Sequence, residues 1–80
     1  MKLPRNLSGK DLIKRLRRVG YEVSRQRGSH VQVMTRKNGE HHVTVPLHNP
    51  VRVGTLASIL DSVASHLRMD RQSLIEAMGL

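Results

Sequence analysis

The chain has 80 residues, no cysteine, and a formal charge of +8 from fourteen lysines and arginines against six aspartates and glutamates. This length allows one small domain, and the lack of cysteine excludes disulfide scaffolds, thiolate metal sites and thiol nucleophiles. So large a positive charge indicates an acidic partner. No apolar run suits a membrane span, and the N-terminus lacks the apolar segment of a signal peptide, so we expect a cytoplasmic protein.

Aromatic residues are almost missing, since Tyr21 stands alone without any Phe or Trp. Proteins that hold single-stranded nucleic acid by base stacking need several aromatic side chains. A nucleic acid bound here must therefore be held through its phosphates and its shape. The core must be built from Leu, Val, Ile and Met, which suffices for one two-layer domain of marginal stability.

The first predicted element is a helix over about residues 9–19. Ser8 is a good N-cap, and Asp11 stands where a capping box places its acidic residue. Gly20 is a natural terminator. One apolar stripe faces the core, formed by Leu12, Ile13, Leu16 and Val19.

The other face of this helix is basic, with side chains that could contact RNA or a protein partner or simply be solvated: Lys10, Lys14, Arg17 and Arg18. Charge is unevenly placed along the chain, at +9 over residues 1–37 and −1 over residues 38–80. This asymmetry favours the functional interpretation of the basic face, since A-form RNA is recognised through its backbone.

A first strand follows the helix. Tyr21 and Val23 alternate with Glu22 and Ser24, which predicts a strand with Tyr21 and Val23 facing the core. Residues 25–28 are then expected to connect this strand to the next one.

Two further strands flank a turn at residues 37–39. A three-residue loop with Gly39 left-handed pairs Val33 with Val43 and Val31 with Val45, which places all four valines on one face. A two-residue loop would put the two pairs on opposite faces. Because a buried face fixes the register, we predict the longer loop.

The remaining elements are two helices. Pro46 ends the third strand, a second helix begins near residue 54, and Asp70 is the expected N-cap of a short last helix. The order αβββα with this extra helix predicts an α+β two-layer sandwich, in which the helices cover the valine face. The open sheet face is expected to be polar, with Glu22, Ser24, His30, Gln32, His42 and Thr44. We expect one domain over residues 8–78, preceded by a flexible arm at 1–6.

Several short runs, in this order, closely resemble the HicA (YcfA-like) toxin family of bacterial type II toxin–antitoxin systems. They are Ser8-Gly9-Lys10-Asp11-Leu12-Ile13, Gly20-Tyr21, Gly28-Ser29-His30, Val45-Pro46-Leu47-His48, and Gly54-Thr55-Leu56 with Ile59-Leu60. The resemblance implies a fold like the double-stranded RNA-binding domain. It also implies an mRNA interferase that works without the ribosome, a HicB-type antitoxin that covers the active site, and His30 as the functional histidine.

The chemistry of the residues around His30 agrees with that activity. RNA can be cut without a metal when a base takes the 2′-hydroxyl proton, and imidazole has an ordinary pKa of about 6.5, near working pH. Arg25 and Arg27 could stabilise phosphorane charge, Gly28 could let backbone approach a phosphate, and Ser29 could donate a hydrogen bond. We expect a metal-independent endoribonuclease without a cofactor, with messenger RNA as its substrate.

The other histidines carry weaker signals. His41 and His42 are adjacent on a strand and point to opposite faces, so they cannot easily share a metal. His48 is more simply a loop residue than a catalytic one, and His66 is expected on the surface. A non-catalytic double-stranded RNA-binding module, or an interaction protein that has lost activity, remains the alternative to an enzyme.

Overall fold

The computed structural model describes residues 3–80. The elements are α1 (Gly9–Arg17), β1 (Glu22–Arg27), β2 (His30–Thr35), β3 (His41–Pro46), α2 (Val53–Leu67) and α3 (Arg71–Met78). The strands form an antiparallel sheet in the order β1-β2-β3, and the helices cover one of its faces. The predicted αβββα sandwich with an additional C-terminal helix is thereby confirmed. Met1 and Lys2 of the predicted arm lie outside the described residues, whereas Leu3 packs against the core.

Helix α1 begins and ends by the expected local interactions. Ser8 Oγ accepts a hydrogen bond from the Asp11 N–H at 3.0 Å. The helix ends at Arg17, two residues before the predicted end, and Gly20 adopts a φ of +100° that only glycine takes easily. The Tyr21 N–H then donates to the Leu16 carbonyl at 3.1 Å, which closes the helix and directs the chain into β1.

The β2–β3 register is the predicted one. Val33 pairs with Val43, Val31 pairs with Val45, and all four valines are buried beneath the helices. The turn carries Gly39 at φ +97°, and Asn38 is also left-handed. The hydrophobic pattern was therefore sufficient to fix the register of this hairpin.

Strand β1 departs from the prediction. The sequence alternation placed Val23 in the core, but its side chain is 42% exposed, and every residue of β1 is exposed to solvent. The strand also continues to Arg27, where a connection was expected. The pairing slips between Val23 and Arg25, because Val23 pairs with Val33 while Arg25 pairs with Gln32. Ser24 is thus the extra residue of a β-bulge, and its Oγ donates to the Gln32 carbonyl at 3.2 Å.

The two C-terminal helices complete the core. Asp70 caps α3 as predicted, since its Oδ1 accepts from the Ser73 N–H at 2.7 Å, and these hydrogen bonds lower the pKa of Asp70. The Arg15 guanidinium donates to the carbonyls of Met78 and Gly79, where it complements the negative end of the α3 dipole. The fully buried helical side chains include Leu12, Leu16, Leu56, Leu60, Val63, Leu74 and Met78.

A polar cluster joins the β2–β3 turn to α2. His41 Nδ1 lies 2.6 Å from the Tyr21 hydroxyl, its Nε2 lies 3.1 Å from Ser62 Oγ, and its ring stacks on His66 with centroids 4.4 Å apart. His66 Nε2 donates to the Lys37 carbonyl at 2.7 Å. His66 is therefore half-buried and part of the fold, where the sequence suggested a plain surface residue. Burial also raises the pKa of Tyr21 to about 12.

Gly9 allows α1 to contact the end of β3. A Cβ built on Gly9 would overlap the carbonyl oxygen of Pro46 and lie 2.9 Å from Leu47 Cα. The Gly9 N–H donates to the His48 carbonyl at 2.8 Å, so the backbones are held together at this point. The requirement for glycine here comes from close approach of two backbones and not from a positive φ.

We expect Gly9→Ala to destabilise the fold by about 1–3 kcal/mol, since the obstructing atoms belong to the backbone and cannot move aside. Gly54→Ala is the matched control, because Gly54 is also helical and a Cβ added to it would meet nothing within 4 Å. That control should leave stability unchanged or raise it by up to about 1 kcal/mol. Urea unfolding of both variants measures the difference, and equal midpoints would contradict the close approach.

Stability should fall as the pH is lowered from neutrality, because of His41. Burial, and next the charges of His66 and His42, lower the pKa of His41 below its ordinary value of 6.5. The unfolded chain then binds the proton at a higher pH than the folded protein does. The contribution of His41 to the free energy of unfolding is fully present above pH 6.5. As the pH falls below 6.5 it is lost, until the pH reaches the pKa of His41 in the folded protein. The slope is at most about 1.4 kcal/mol per pH unit.

Urea unfolding between about pH 7.5 and 5.5 measures this dependence. His41→Gln should flatten the slope, whereas His48→Gln, in the groove between α1 and β1 and outside this cluster, should retain it. An unchanged slope in His41→Gln would assign the dependence to another group.

Candidate active site

His30 occupies the first position of β2, directly after a tight turn. Arg27 pairs with His30, so Gly28 and Ser29 are the only residues between the two strands. Gly28 has a φ of +53°, and a Cβ added to it would meet no heavy atom within 4 Å, so it serves the turn conformation. The Gln26 side-chain amide donates to the Gly28 carbonyl at 2.9 Å and braces this turn.

The turn is also fixed by the segment that follows β3. The Leu47 N–H donates to the Ser29 carbonyl at 2.7 Å, which ties the segment after β3 to the residue before His30. His30 itself is exposed and points to the open face of the sheet, as the register predicted. The histidine is therefore accessible to a large substrate while its backbone is held from two directions.

The bulge in β1 determines what surrounds His30. With strict alternation, Arg25 and Arg27 would lie on the same side as Val23, toward the helices. The additional residue reverses the alternation, so Arg25 pairs with Gln32 and Arg27 pairs with His30. Both guanidinium groups thereby share the open face with the histidine.

These side chains line one shallow depression of about 380 Å³ on the open face, formed by Arg25, Arg27, His30, Gln32 and Thr44. None of its five lining residues is acidic. The depression therefore combines one imidazole, two fixed positive charges and two neutral hydrogen-bonding groups. This combination can hold a phosphodiester and transfer a proton at it.

The basic residues of α1 lie elsewhere. They belong to the helix layer, and no residue of α1 lines the depression around His30. Lys10 lines a different groove, between α1 and β1. Arg17 Nε lies 3.9 Å from a Glu22 carboxylate oxygen, and Lys14 and Arg18 border a third depression with Asp11 and Arg15. The predicted site residues are thus divided between the helix layer and the open face of the sheet. Those that come together around the β1–β2 turn are Arg25, Arg27, Gly28, Ser29 and His30.

The remaining histidines separate as well. His41 faces the helices and His42 faces the open side, which confirms that adjacent strand residues point apart. His42 Nε2 lies 2.8 Å from a Glu40 oxygen, and this hydrogen bond lowers the pKa of Glu40. His48 lines the groove between α1 and β1, away from the depression that contains His30.

Two kinds of feature were not found among the described residues, a metal-binding cluster and a membrane-spanning helix. Within residues 3–80, no cluster of three histidine, aspartate or glutamate side chains could hold a metal ion. Over the same residues, no helix is long and apolar enough to cross a membrane.

Sequence reasoning found His30, Gln32 and Thr44 on the open face but missed the bulge. A signal was present, because simple alternation from Tyr21 and Val23 also directs Arg25 and Arg27 toward the apolar layer. Two unpaired arginines there would be costly to bury. The conflict could have indicated an extra residue between Val23 and Arg25.

Comparison with known proteins identifies the family. A family model described as the HicA toxin of bacterial toxin–antitoxin systems matches residues 9–64, which span α1, the whole sheet and most of α2. No curated protein and no solved structure matches the chain. The match covers more than half of the sequence and includes the entire depression around His30. The chain therefore belongs to the HicA toxin family and is the toxin component of a bacterial toxin–antitoxin system.

Proposed function

We propose that this toxin is a ribosome-independent mRNA endonuclease in which His30 is the general acid/base. One observation supports this most directly: Arg25, Arg27 and His30 line the same open depression. A shallow, exposed cationic site suits a polyanionic chain that must enter and leave from the side. The shortage of aromatic residues agrees with recognition of the RNA backbone.

In the proposed reaction, neutral His30 takes the proton from a ribose 2′-hydroxyl. The 2′-oxygen attacks the adjacent phosphorus, the bond from phosphorus to the 5′-oxygen breaks, and a 2′,3′-cyclic phosphate forms. The departing 5′-oxygen takes its proton from water, which has free access to the open depression. Among the described residues, His30 is the histidine that lines this depression, and we assign the proton transfer from the 2′-hydroxyl to it.

The arginines supply the electrostatic part of the reaction. Negative charge increases on the non-bridging oxygens as the phosphorane forms, and guanidinium groups stabilise it through charge-assisted hydrogen bonds. Gln32 and Thr44 pair across the sheet beside His30 and can position the ribose or the phosphate. Every step is supplied by side chains and water, so the proposed mechanism is independent of metal ions and of any other cofactor.

The partner follows from the family. A toxin of a toxin–antitoxin system has an antitoxin, and we propose a HicB-type protein encoded by the adjoining reading frame. It would block the depression until the toxin is released to act on cytoplasmic messenger RNA.

His30→Ala should lower the rate of RNA cleavage by about 10²- to 10⁴-fold, the usual contribution of one positioned acid/base group. Cleavage of an in vitro transcript by the purified protein, in parallel reactions with and without EDTA, gives the measurement. His42→Ala is the control, because His42 lies on the same face but is hydrogen-bonded to Glu40. The control should stay close to the wild-type rate.

Two results would contradict this mechanism. If neither wild-type protein nor His30→Ala cleaves RNA while both bind it equally, the protein is a non-catalytic RNA-binding module. If EDTA abolishes wild-type cleavage, the reaction requires a metal ion.

Arg25→Ala and Arg27→Ala should each weaken RNA binding and reduce its dependence on salt. Removal of one phosphate-binding cation lowers the slope of log affinity against log salt by about 0.7 on single-stranded RNA. Binding is measured in the His30→Ala background, so that the RNA stays intact. Arg52→Ala is the matched control, since Arg52 is exposed before α2 and outside the depression. Equal slopes of log affinity against log salt in all three variants would show that Arg25 and Arg27 do not contact the RNA.

A further inference from the structure

A second concave surface lies on the other side of β1, between this strand and α1. It is a groove of about 490 Å³ with an aliphatic floor of Ile13, Val23, Val31 and Leu47. Polar residues form its rim, namely Ser8, Lys10, Gln26, His48 and Asn49. The groove and the depression around His30 have no lining residue in common.

Apolar exposure is concentrated in this groove. Among residues 3–80, the large hydrophobic side chains that are exposed are Val23 at 42%, Leu47 at 38% and Val53 at 46%. Val23 and Leu47 come from distant parts of the chain, yet both line the groove. Single exposed valines and leucines are ordinary, but these two meet over buried aliphatic residues and form one continuous apolar patch that a partner could cover.

The α1 side of the groove carries positive charge. Lys10 lines the groove, and Lys14 and Arg17 follow it at the helical spacing that keeps side chains on one face. Arg17 extends this row to the beginning of β1, where it lies near Glu22. The complementary partner is therefore apolar where it meets Val23 and Leu47, and acidic where it passes α1.

The chemistry of the floor favours a protein over RNA. An aliphatic floor offers nothing that hydrogen-bonds base edges, and the one ring among the nine lining residues, His48, belongs to the rim and not to the floor. Leu, Ile or Val side chains of a partner protein would bury the exposed parts of Val23 and Leu47 and gain from the exclusion of water.

We propose that this groove is the docking site of the antitoxin, which inserts apolar side chains between α1 and β1 and places acidic residues against Lys10, Lys14 and Arg17. The identity of the partner rests on the proposed function. The groove is built without His30, Arg25 or Arg27, so docking and cleavage are separable.

The position of β1 explains how docking here would inhibit. Within the described residues, β1 is an edge strand with β2 as its only neighbour. Val23 and Gln26 face the groove on one side of β1, while Arg25 and Arg27 line the depression on the other. A partner anchored in the groove lies one strand away from His30 and can extend around the free edge of β1 to cover it.

Val23→Glu and Leu47→Glu should each weaken binding of the antitoxin by about tenfold or more, because each introduces a charge onto the apolar floor. The probe is the protein encoded by the adjoining reading frame, and titration calorimetry gives its affinity for the full-length toxin. Val53→Glu is the matched control, since Val53 is an equally exposed valine outside the groove. It should bind like wild type.

Cleavage of RNA is measured on the same variants. Val23→Glu should cut RNA at the wild-type rate but resist inhibition by the antitoxin. Affinity should also decrease as salt increases, since part of the contact is ionic.

Three results would overturn the docking site: wild-type affinity in both groove variants, equal weakening in Val53→Glu, or loss of RNA binding with antitoxin binding retained. Failure of the adjoining protein to bind wild-type toxin would overturn it too. Calorimetry measures antitoxin binding even if the comparison with His30→Ala shows that the protein is not a nuclease. The docking site and the nuclease activity can therefore be refuted separately. Thermal unfolding of each variant identifies a loss of binding that is due to misfolding.

Discussion

Alternation of side chains along β1 is the constraint on which the candidate active site depends. A strand sends successive residues to opposite faces, so residues 21, 23, 25 and 27 would share one face if the strand were regular. The core needs Tyr21 on that face, whereas the proposed phosphate site around His30 needs the arginines on the other. One extra residue at Ser24 satisfies both requirements. The side-chain hydrogen bond from Ser24 to the Gln32 carbonyl compensates the ladder where it is interrupted.

The bulge positions the arginines, and backbone contacts hold the histidine. The Ser29 carbonyl is bonded by Leu47, and the next residue, His48, accepts from Gly9 at the beginning of α1. Val51 donates in turn to the Leu7 carbonyl. The segment after β3 is therefore fastened to both the β1–β2 turn and the helix. Because Gly9 lacks a Cβ, this fastening can be short, and the exposed His30 side chain stands on a rigid base.

Most of the fold could be predicted from the sequence, because it is encoded in local patterns that agree with one another. Ser8, Asp70 and Gly20 mark the ends of helices by capping chemistry that operates within a few residues. The four valines fix the β2–β3 register because any slip would expose them. The predictions of burial failed where contacts between distant parts of the chain determine the environment of a side chain. Val23 carries the pattern of a core residue but lies on an edge strand, and His66 gains its partners only when α2 meets the β2–β3 turn.

The sequence also did not show that the basic residues lie on two different surfaces. Lysines and arginines of residues 1–37 read as one basic surface along the chain, yet the two-layer fold places α1 and the open sheet face on different sides. β1 lies between them, exposed along its whole length. In the proposed function, the toxin presents its site to RNA and is also inhibited by a partner, and acidic groups are attracted by both surfaces. The aliphatic floor beside α1 and the imidazole on the open face provide the distinction that charge alone does not. The two depressions have no lining residue in common, so the proposed antitoxin can be held by surface that the proposed RNA site does not use.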